Sequence, residues 1–410
     1  MWQHFLKPIK RFRKSYLPGI VTASADNDPS SISTYSVVGA TTGFSQLWLI
    51  LISTPLLIAV HQMTARIGDV AKKGLVTLIK ENFGQRIAFL SVLILVAANL
   101  LSLTADIIGM AAGFQLLTNQ NYIYFIVPLI ILVWYIIVFD GYKKIAKYFF
   151  WFAGIMLAYI LAGFLAKPDW GLILKSIVIP PIKFNAVYFM AALGLIGTSF
   201  SPYAFFWQTE EEIEENRGIK QIKTSSRAVT LGFIYSGLVA FFVVVASASV
   251  IVRMDINFLT VKDIAQALVP VAGPWATKLF GLGLIGSGLL AIPILATSSA
   301  YAVSEFFKWP QGLNRKPGKA KGFYGLITFG FVFCLAALLF ELNPIKALFY
   351  SQVMVGVMTP IIIYFILRLA SSHKVMGNFC CPRWNIIGGW LAVILLSLGD
   401  IFLIYYLFSV

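Results

Sequence analysis

Charged side chains are scarce in this sequence. Asp, Glu, Lys and Arg together make up 12% of the 410 residues, whereas 59% are hydrophobic. A soluble domain carries about 25% charged residues, so the composition excludes an ordinary soluble protein. It predicts an integral membrane protein, for which the lipid bilayer is the first partner.

Cysteine and histidine are also scarce, with three of each in the chain. Three cysteines, two of them adjacent, do not make the disulfide framework of a small secreted domain. Three scattered histidines supply neither a His-rich metal cluster nor the base of a nucleophile–base pair. We therefore expect neither an enzyme nor a permanent cofactor.

Acidic residues are outnumbered by basic ones, 17 to 32. A basic excess can indicate a nucleic-acid partner, but here Lys and Arg fall in short gaps between apolar runs, where they act as topology signals. We expect no nucleic-acid partner. Residues 1–15, "MWQHFLKPIKRFRKS", are interrupted too often by charge for a cleaved signal peptide. They are expected to form a basic cytoplasmic tail.

Long apolar runs are abundant. A membrane helix needs about 20 mostly apolar residues. Eleven such runs occur, at about 17–42, 46–67, 87–114, 122–139, 148–166, 187–209, 228–252, 275–305, 322–340, 345–370 and 386–408. The run at 275–305 is long for one crossing, but its small residues favour a single tilted helix.

The distribution of positive charge predicts the orientation. With the N-terminus inside, the inner segments hold 25 Lys and Arg, and the outer segments hold seven. Lys and Arg prefer the cytoplasmic side of a membrane. The sequence thus predicts a protein of a bacterial-type cytoplasmic membrane with a cytoplasmic N-terminus. After an odd number of crossings, the C-terminus is extracytoplasmic.

Eleven spans with an inside N-terminus indicate two inverted repeats of five helices followed by one extra helix. The predicted fold class is an all-α polytopic membrane protein, with a single transmembrane transporter domain over 1–410. Its parts are the first repeat at 16–185, the second repeat at 186–372 and helix 11 at 385–408. Transporters built in this way place their site where the first helix of each half is interrupted near the midplane.

Polar residues and proline interrupt the first helix of both halves. The first span contains "SADNDPSSIS" (24–33), and the sixth contains "GLIGTSFSPYAFF" (194–206). Pro29 is expected to unwind the chain around Asp28, and Pro202 to unwind it around Ser201. Freed carbonyls, one carboxylate and hydroxyls together predict an all-oxygen cage, which suits a hard cation.

Other polar residues within the spans leave more than one interpretation open. Asp26 is either a second ligand or a residue at the mouth that attracts cations. Asp106, in the third span, either relays protons, shapes the permeation path or is a packed structural acid. Gln352, in the tenth span, either adds an amide oxygen to the cage when the site closes or makes an interhelical hydrogen bond. The run "TEEEIEENRG" (209–218) is expected to be a solvated helix end.

These residues resemble the NRAMP (natural resistance-associated macrophage protein) family of divalent-metal transporters. The family has Asp-Pro-Gly-Asn where this chain has Asp28-Pro29-Ser30-Ser31. Its sixth helix has Ala-x-x-Met-Pro-His where this chain has "TSFSPY" at 198–203.

The resemblance extends to other spans and covers nearly the whole chain. "TADIIGMAAG" is similar to Ala-Glu-x-x-Gly in the third helix of the family, with Asp106 in the place of the Glu. Gln352 falls on the glutamine of the tenth helix. The resemblance implies a leucine-transporter-type fold, alternating access and a backbone carbonyl of Ala25 that faces the metal.

Departures from the family pattern bear on the ion and on its coupling. Ser31 stands in place of the Asn, and Ser201 stands in place of the metal-binding Met, whose sulfur favours transition metals over Mg²⁺. An oxygen-only site should discriminate weakly against Mg²⁺. Tyr203 replaces the sixth-helix His, and Leu103 replaces an acid three residues before Asp106. Because both belong to the proton route that the resemblance implies, we expect weak or absent proton coupling, and we place Tyr203 beside the ligands or along the path of the cation.

The sequence therefore predicts a secondary transporter of a divalent metal cation, with Mg²⁺ or Mn²⁺ as the substrate. Asp28 would hold the ion with oxygens of Ser31 and Ser201 and with the carbonyls of Ala25 and Thr198. The alternative is a carrier of the same fold for an organic solute such as an amino acid or amine. Asp28 would then pair with an ammonium, and helix N-termini would hold a carboxylate. A monomer is expected.

Overall fold

A computed structural model of the chain describes residues 22–23, 25–140, 149–251, 256–257, 259–313, 315–335 and 342–408. Within these ranges all regular secondary structure is helical. The predicted basic tail at 1–15 lies outside them.

The first half of the chain provides helices α1 to α7. They are α1 Pro29–Thr42, α2 Leu47–Ala71, α3 Leu75–Phe83, α4 Gln85–Thr118, α5 Ile123–Tyr135, α6 Phe149–Leu165 and α7 Trp170–Val178. A π-helical turn, Ile136–Asp140, extends α5.

The second half provides α8 to α14. They are α8 Ala186–Ser199, α9 Pro202–Glu214, α10 Ile222–Val250, α11 Ala276–Phe307, α12 Lys321–Leu335, α13 Pro344–Ala370 and α14 Arg383–Phe408. The long run at 275–305 is one continuous helix, α11, although Pro293 lies inside it. The prediction of a single helix there is confirmed.

The helices are long and apolar enough for a membrane. Seven helical segments of the described ranges pass that test, and an eighth does so if α6 and α7, which meet at 109°, are counted as one broken span. The apolar helices around α5 and α12 are shorter. Large apolar side chains such as Ile131, Phe329 and Ile401 are more than half exposed, as expected of residues that face lipid. The chain is an integral membrane protein.

The first and sixth apolar runs are both interrupted. The chain leaves helical geometry at Asp26 and resumes it in α1 at Pro29. In the sixth run, α8 ends at Ser199 and α9 starts at Pro202. Each new helix thus starts on a proline. Proline fits the first turn of a helix because the backbone N–H that it lacks would have no intrahelical acceptor there.

Glycines bring α8 and α13 together at backbone distance. A Cβ atom added at Gly197 in α8 would lie 2.2 Å from the carbonyl oxygen of Gln352 in α13. One added at Gly356 in α13 would lie 3.3 Å from the Cα atom of Gly197. No larger residue fits between the two backbones, so these small residues set the spacing of the helices.

Candidate functional site

Asp28 is the centre of the first interruption. Its side chain is fully buried and caps α1, with Oδ1 accepting a hydrogen bond of 2.6 Å from the backbone N–H of Ser31. The hydroxyl oxygen of Ser31 lies 2.8 Å from the same Oδ1 and 2.6 Å from the carbonyl oxygen of Asp26. The sequence favours this turn because Asp is a preferred N-cap residue and proline a preferred first helical residue.

The second interruption meets the first directly. The hydroxyl of Thr198, in the last turn of α8, donates to the hydroxyl oxygen of Ser31. From the start of α9, the hydroxyl oxygen of Tyr203 lies 3.1 Å from the carbonyl oxygen of Ala25 and 3.3 Å from Asp28 Oδ2. Residues about 170 positions apart therefore share one buried set of oxygen atoms.

Of the other predicted ligands, Ser201 and Gln352 are buried, but within the described residues neither is hydrogen-bonded to Asp28. The hydroxyl of Ser201 lies 3.0 Å from the carbonyl oxygen of Thr198. The amide of Gln352 has no hydrogen-bond partner among the described residues. Ser201 lies in the second interruption, and Gln352 packs against Gly197 just before it. Neither side chain is hydrogen-bonded to the Asp28 carboxylate in the described part of the chain.

Two neighbours of Asp28 carry unpartnered polar atoms. Asp26 and Asn27 are each 1% exposed, and their side-chain oxygens have no hydrogen-bond partner in the described part of the chain. Asn27 was not among the predicted site residues. The signal for it was present, because a buried amide inside an apolar run needs a partner.

The atoms available at the interruptions are oxygens. They comprise carboxylate, hydroxyl, amide and carbonyl groups, and hard cations such as Mg²⁺, Ca²⁺ and Mn²⁺ prefer such ligands. Among the residues that the structure describes, no group of three or more His, Cys, Asp and Glu side chains could hold a metal ion. His61 is fully buried against Phe205 of α9 and against Phe233. The groups that the two interruptions bring together are thus carboxylate, hydroxyl and carbonyl oxygens.

Asp106 joins the first interruption from α4. Its Oδ1 accepts hydrogen bonds from the backbone N–H of Ser30, at 3.0 Å, and from the Ser30 hydroxyl, at 2.5 Å. Both residues are fully buried. This contact holds Asp106 against the second residue of α1, and the three interpretations of Asp106 stay open.

The glutamate run at the end of α9 is only partly the solvated helix end that the sequence predicted: Glu214 and Glu215 are exposed, but the three glutamates before Ile213 are not. Glu210, Glu211 and Glu212 are 6%, 7% and 1% exposed. Glu211 accepts a hydrogen bond of 2.9 Å from the Thr22 hydroxyl. The expectation failed for these three glutamates because it considered only the charge of the run, and not the partners that other helices bring to it.

Arg217 compensates part of this buried charge. Its Nε lies 3.3 Å from Glu212 Oε2 and 2.8 Å from Glu215 Oε2. Although burial acts to lower the pKa of Arg217, the carboxylates of Glu212 and Glu215 raise it above its ordinary value. The guanidinium therefore stays charged and holds the end of α9 in place.

Comparison with known protein families gives a match over residues 19–406 to the family described as natural resistance-associated macrophage protein-like, or Nramp. The chain belongs to the Nramp family. The divalent metal cation transporter MntH of Levilactobacillus brevis is 26% identical to this Nramp chain over 412 residues, which cover 94% of this chain and 88% of that protein. The resemblance seen in the sequence is thus confirmed, and so is the expectation that the chain is a transporter and not an enzyme.

Solved structures are similar to this Nramp chain along most of its length. The manganese transporter of Eremococcus coleocola, in complex with an aromatic bis-isothiourea substituted compound, matches with a TM-score of 0.78 at 20% identity, over 97% of this chain and 87% of that one. MhsT in complex with L-phenylalanine matches with a TM-score of 0.63 at 14% identity, over 94% and 98%. These likenesses show the shared transporter fold.

Proposed function

We propose that this Nramp chain carries divalent metal cations across the cytoplasmic membrane. The observation that carries the proposal is the buried Asp28 carboxylate, which lies among oxygen atoms from two interrupted helices. A buried carboxylate needs a counter-charge, and a cation substrate supplies one. The names of the relatives, a divalent metal cation transporter and a manganese transporter, support the same class of substrate.

The proposed ligands of the ion come from both interruptions. Asp28 provides the carboxylate, Ser31 and Ser201 provide hydroxyl oxygens, and Ala25 and Thr198 provide backbone carbonyls. Gln352 would add its unpartnered amide oxygen when the site closes. In the same proposal, Asp26 and Tyr203 lie next to these ligands, on the path by which the cation arrives.

Mg²⁺ or Mn²⁺ is the proposed ion. The proposal follows from the oxygen donors, since Ser201 offers a hydroxyl where the family pattern has a thioether sulfur. Tyr203 and Leu103 stand where the family has groups of its proton route, so transport is proposed to be weakly coupled to protons or not coupled at all.

Transport would proceed by alternating access. Eleven crossings, arranged as two inverted repeats of five and one extra helix, would place both interruptions near the midplane of the bilayer. The interrupted helices would rock against the remaining spans and open the site to one side at a time. A single chain provides all of the proposed ligands, which supports a monomer as the transporting unit.

Calorimetric titration of Mn²⁺ and Mg²⁺ into the purified full-length protein, together with uptake into liposomes, tests the proposal. We expect binding in the wild type and its loss in Asp28→Ala. Asp169→Ala is the matched control, because Asp169 also caps a helix, α7, but is exposed. Binding that survives in Asp28→Ala, or no binding in the wild type, would overturn the proposal.

A second candidate is a carrier of an organic solute such as an amino acid or amine. The observation in its favour is the fold similarity to MhsT, whose structure contains L-phenylalanine. The same calorimetry with amino acids and small amines in place of metal tests it. This candidate would be favoured if the wild type bound an amino acid or amine, Asp28→Ala did not, and neither protein bound Mn²⁺ or Mg²⁺.

A further inference from the structure

Asp106 and Ser30 form the contact from which the inference starts. One carboxylate oxygen of Asp106, Oδ1, accepts both the backbone N–H and the hydroxyl of Ser30. The other oxygen, Oδ2, is buried and has no hydrogen-bond partner in the described ranges. Two hydrogen bonds from one residue to one oxygen hold that residue more firmly than either bond would alone.

Both members of this contact depart from the family pattern quoted above. Ser30 stands where the pattern has Gly, and Asp106 stands where it has Glu. A glycine has no hydroxyl to donate, and the Asp side chain is one methylene shorter than Glu. The two departures are 76 positions apart in the sequence, yet they contact each other in the fold.

The neighbouring residue, Pro29, packs closely against the backbones of two glycines on other helices. A Cβ atom added at Gly109, three residues after Asp106 on α4, would lie 2.9 Å from Pro29 Cβ. One added at Gly288 on α11 would lie 3.3 Å from Pro29 Cγ. The first turn of α1 is therefore fixed at Pro29 and Ser30, immediately between the proposed ligands Asp28 and Ser31.

We infer that Asp106 is a positioning residue, which holds Ser30 by two hydrogen bonds and thereby sets the turn that presents Asp28 and Ser31 to the ion. The inference rests on the proposed function, because it concerns the same metal site. This role needs a hydrogen-bond acceptor at Oδ1 and no proton transfer. An Asn side chain keeps that acceptor, and its amide nitrogen occupies the position of an oxygen that has no partner to lose.

If Asp106 acts as a hydrogen-bond acceptor, Asp106→Asn and Asp106→Ala should differ in their affinity for Mn²⁺. Loss of two buried hydrogen bonds in Asp106→Ala should weaken Mn²⁺ binding about tenfold. Asp106→Asn should stay within about threefold of the wild type, since its carbonyl oxygen accepts the same bonds. A proton relay would instead be lost equally in both variants, because neither side chain titrates.

Ser30 provides the second arm of the test. Ser30→Ala keeps the backbone N–H but loses the hydroxyl bond, so Mn²⁺ binding should weaken about threefold. The variant Ser30→Ala/Asp106→Ala should bind no more weakly than Asp106→Ala alone, because the two residues act through one contact. Additive losses would contradict this.

The experiment is Mn²⁺ calorimetry and Mn²⁺ uptake into liposomes with the full-length variants. A positioning role raises the apparent KM and leaves the saturating rate within about twofold, whereas a merely structural residue lowers the unfolding temperature and leaves the dissociation constant unchanged. Unchanged Mn²⁺ binding in Asp106→Ala, or equal loss in Asp106→Asn and Asp106→Ala, would overturn the inference.

The same measurements distinguish a failure of this inference from a failure of the proposed function. If the wild type binds Mn²⁺ and Asp28→Ala does not, while Asp106→Ala binds normally, only the role of Asp106 is wrong. If the wild type binds neither Mn²⁺ nor Mg²⁺, both proposals fail. Should Asp106→Ala not fold, Asp106→Asn and Ser30→Ala still give the decisive comparison, since normal binding in Ser30→Ala and loss in Asp106→Asn contradict positioning.

Discussion

At the scale of single residues, Ser201 has the largest consequence for the choice of ion. It lies at the end of the second interruption, directly before α9, is 2% exposed and has a hydroxyl oxygen as its only side-chain donor atom. Mg²⁺ and Ca²⁺ bind through hard oxygen ligands, whereas a thioether sulfur is a soft ligand. If Ser201 is a ligand, as proposed, the side chain at this position sets how strongly the site favours a transition metal.

The expected result of Ser201→Met is a higher ratio of Mn²⁺ uptake to Mg²⁺ uptake in liposomes, by about threefold or more, because the added sulfur interacts better with the softer ion. Ser201→Ala is the control: it removes the hydroxyl without adding sulfur and should weaken uptake of both ions to a similar degree. An unchanged ratio in Ser201→Met would mean that position 201 does not contact the ion.

At the scale of helices, the end of α9 is held by buried charge. Glu212 is 1% exposed and accepts hydrogen bonds from Gln208 and Ser225, in addition to its pair with Arg217. Removing one member of a buried ion pair leaves the other member charged and desolvated. The end of α9 is therefore stabilised by one contact within the helix, by Arg217 just after it, and by Ser225 of α10.

Glu212→Ala should lower the free energy of unfolding by about 2 kcal/mol, because Arg217 loses its buried partner and keeps only the partly exposed Glu215. The matched control is Glu81→Ala, since the Lys73–Glu81 pair is about half exposed, and exposed pairs contribute about 0–1 kcal/mol. Thermal unfolding in detergent measures both, with a fall of several degrees expected only for Glu212→Ala. Equal unfolding temperatures for the two variants would contradict the stabilising role.

Helices and interruptions differ in how far the sequence predicts them. The runs around α4, α11 and α13 were predicted because an apolar stretch of membrane length leaves no alternative to a helix. The interruptions at Pro29 and Pro202 were predicted because proline acts on its own neighbours.

Contacts between residues that are distant in the sequence were not predicted. The burial of Glu211 depends on Thr22, and the position of Asp106 depends on Ser30, so neither follows from local sequence. Asn27 is a different case, because local sequence does indicate a buried amide there: its side chain lies inside an apolar run, between two carboxylates.

At the scale of the whole molecule, the orientation in the membrane decides which side of the site faces the cytoplasm. The sequence predicts a cytoplasmic N-terminus from the 25 Lys and Arg of the inner segments and the seven of the outer segments. In that orientation, the segment between α2 and α3 is cytoplasmic, and the segment between α7 and α8 faces outward.

Cysteine labelling tests this orientation with two exposed lysines. In a variant whose Cys334, Cys380 and Cys381 are replaced by serine, Lys183→Cys should react with a membrane-impermeant maleimide on intact cells. Lys73→Cys should react only after the cells are permeabilised, although it is also exposed. The reverse pattern would show that the predicted orientation is wrong.

The approach of α8 to α13 limits how the site can open. Because the carbonyl oxygen of Gln352 lies where a Cβ atom of Gly197 would be, the two backbones have no side chain between them that could rearrange. In the proposed alternating-access cycle, a tilt of α8 towards α13 would push α13 in the same direction, so that Thr198 and Gln352 would move together. Release of the proposed ion would then depend on the separation of α1 from both of them.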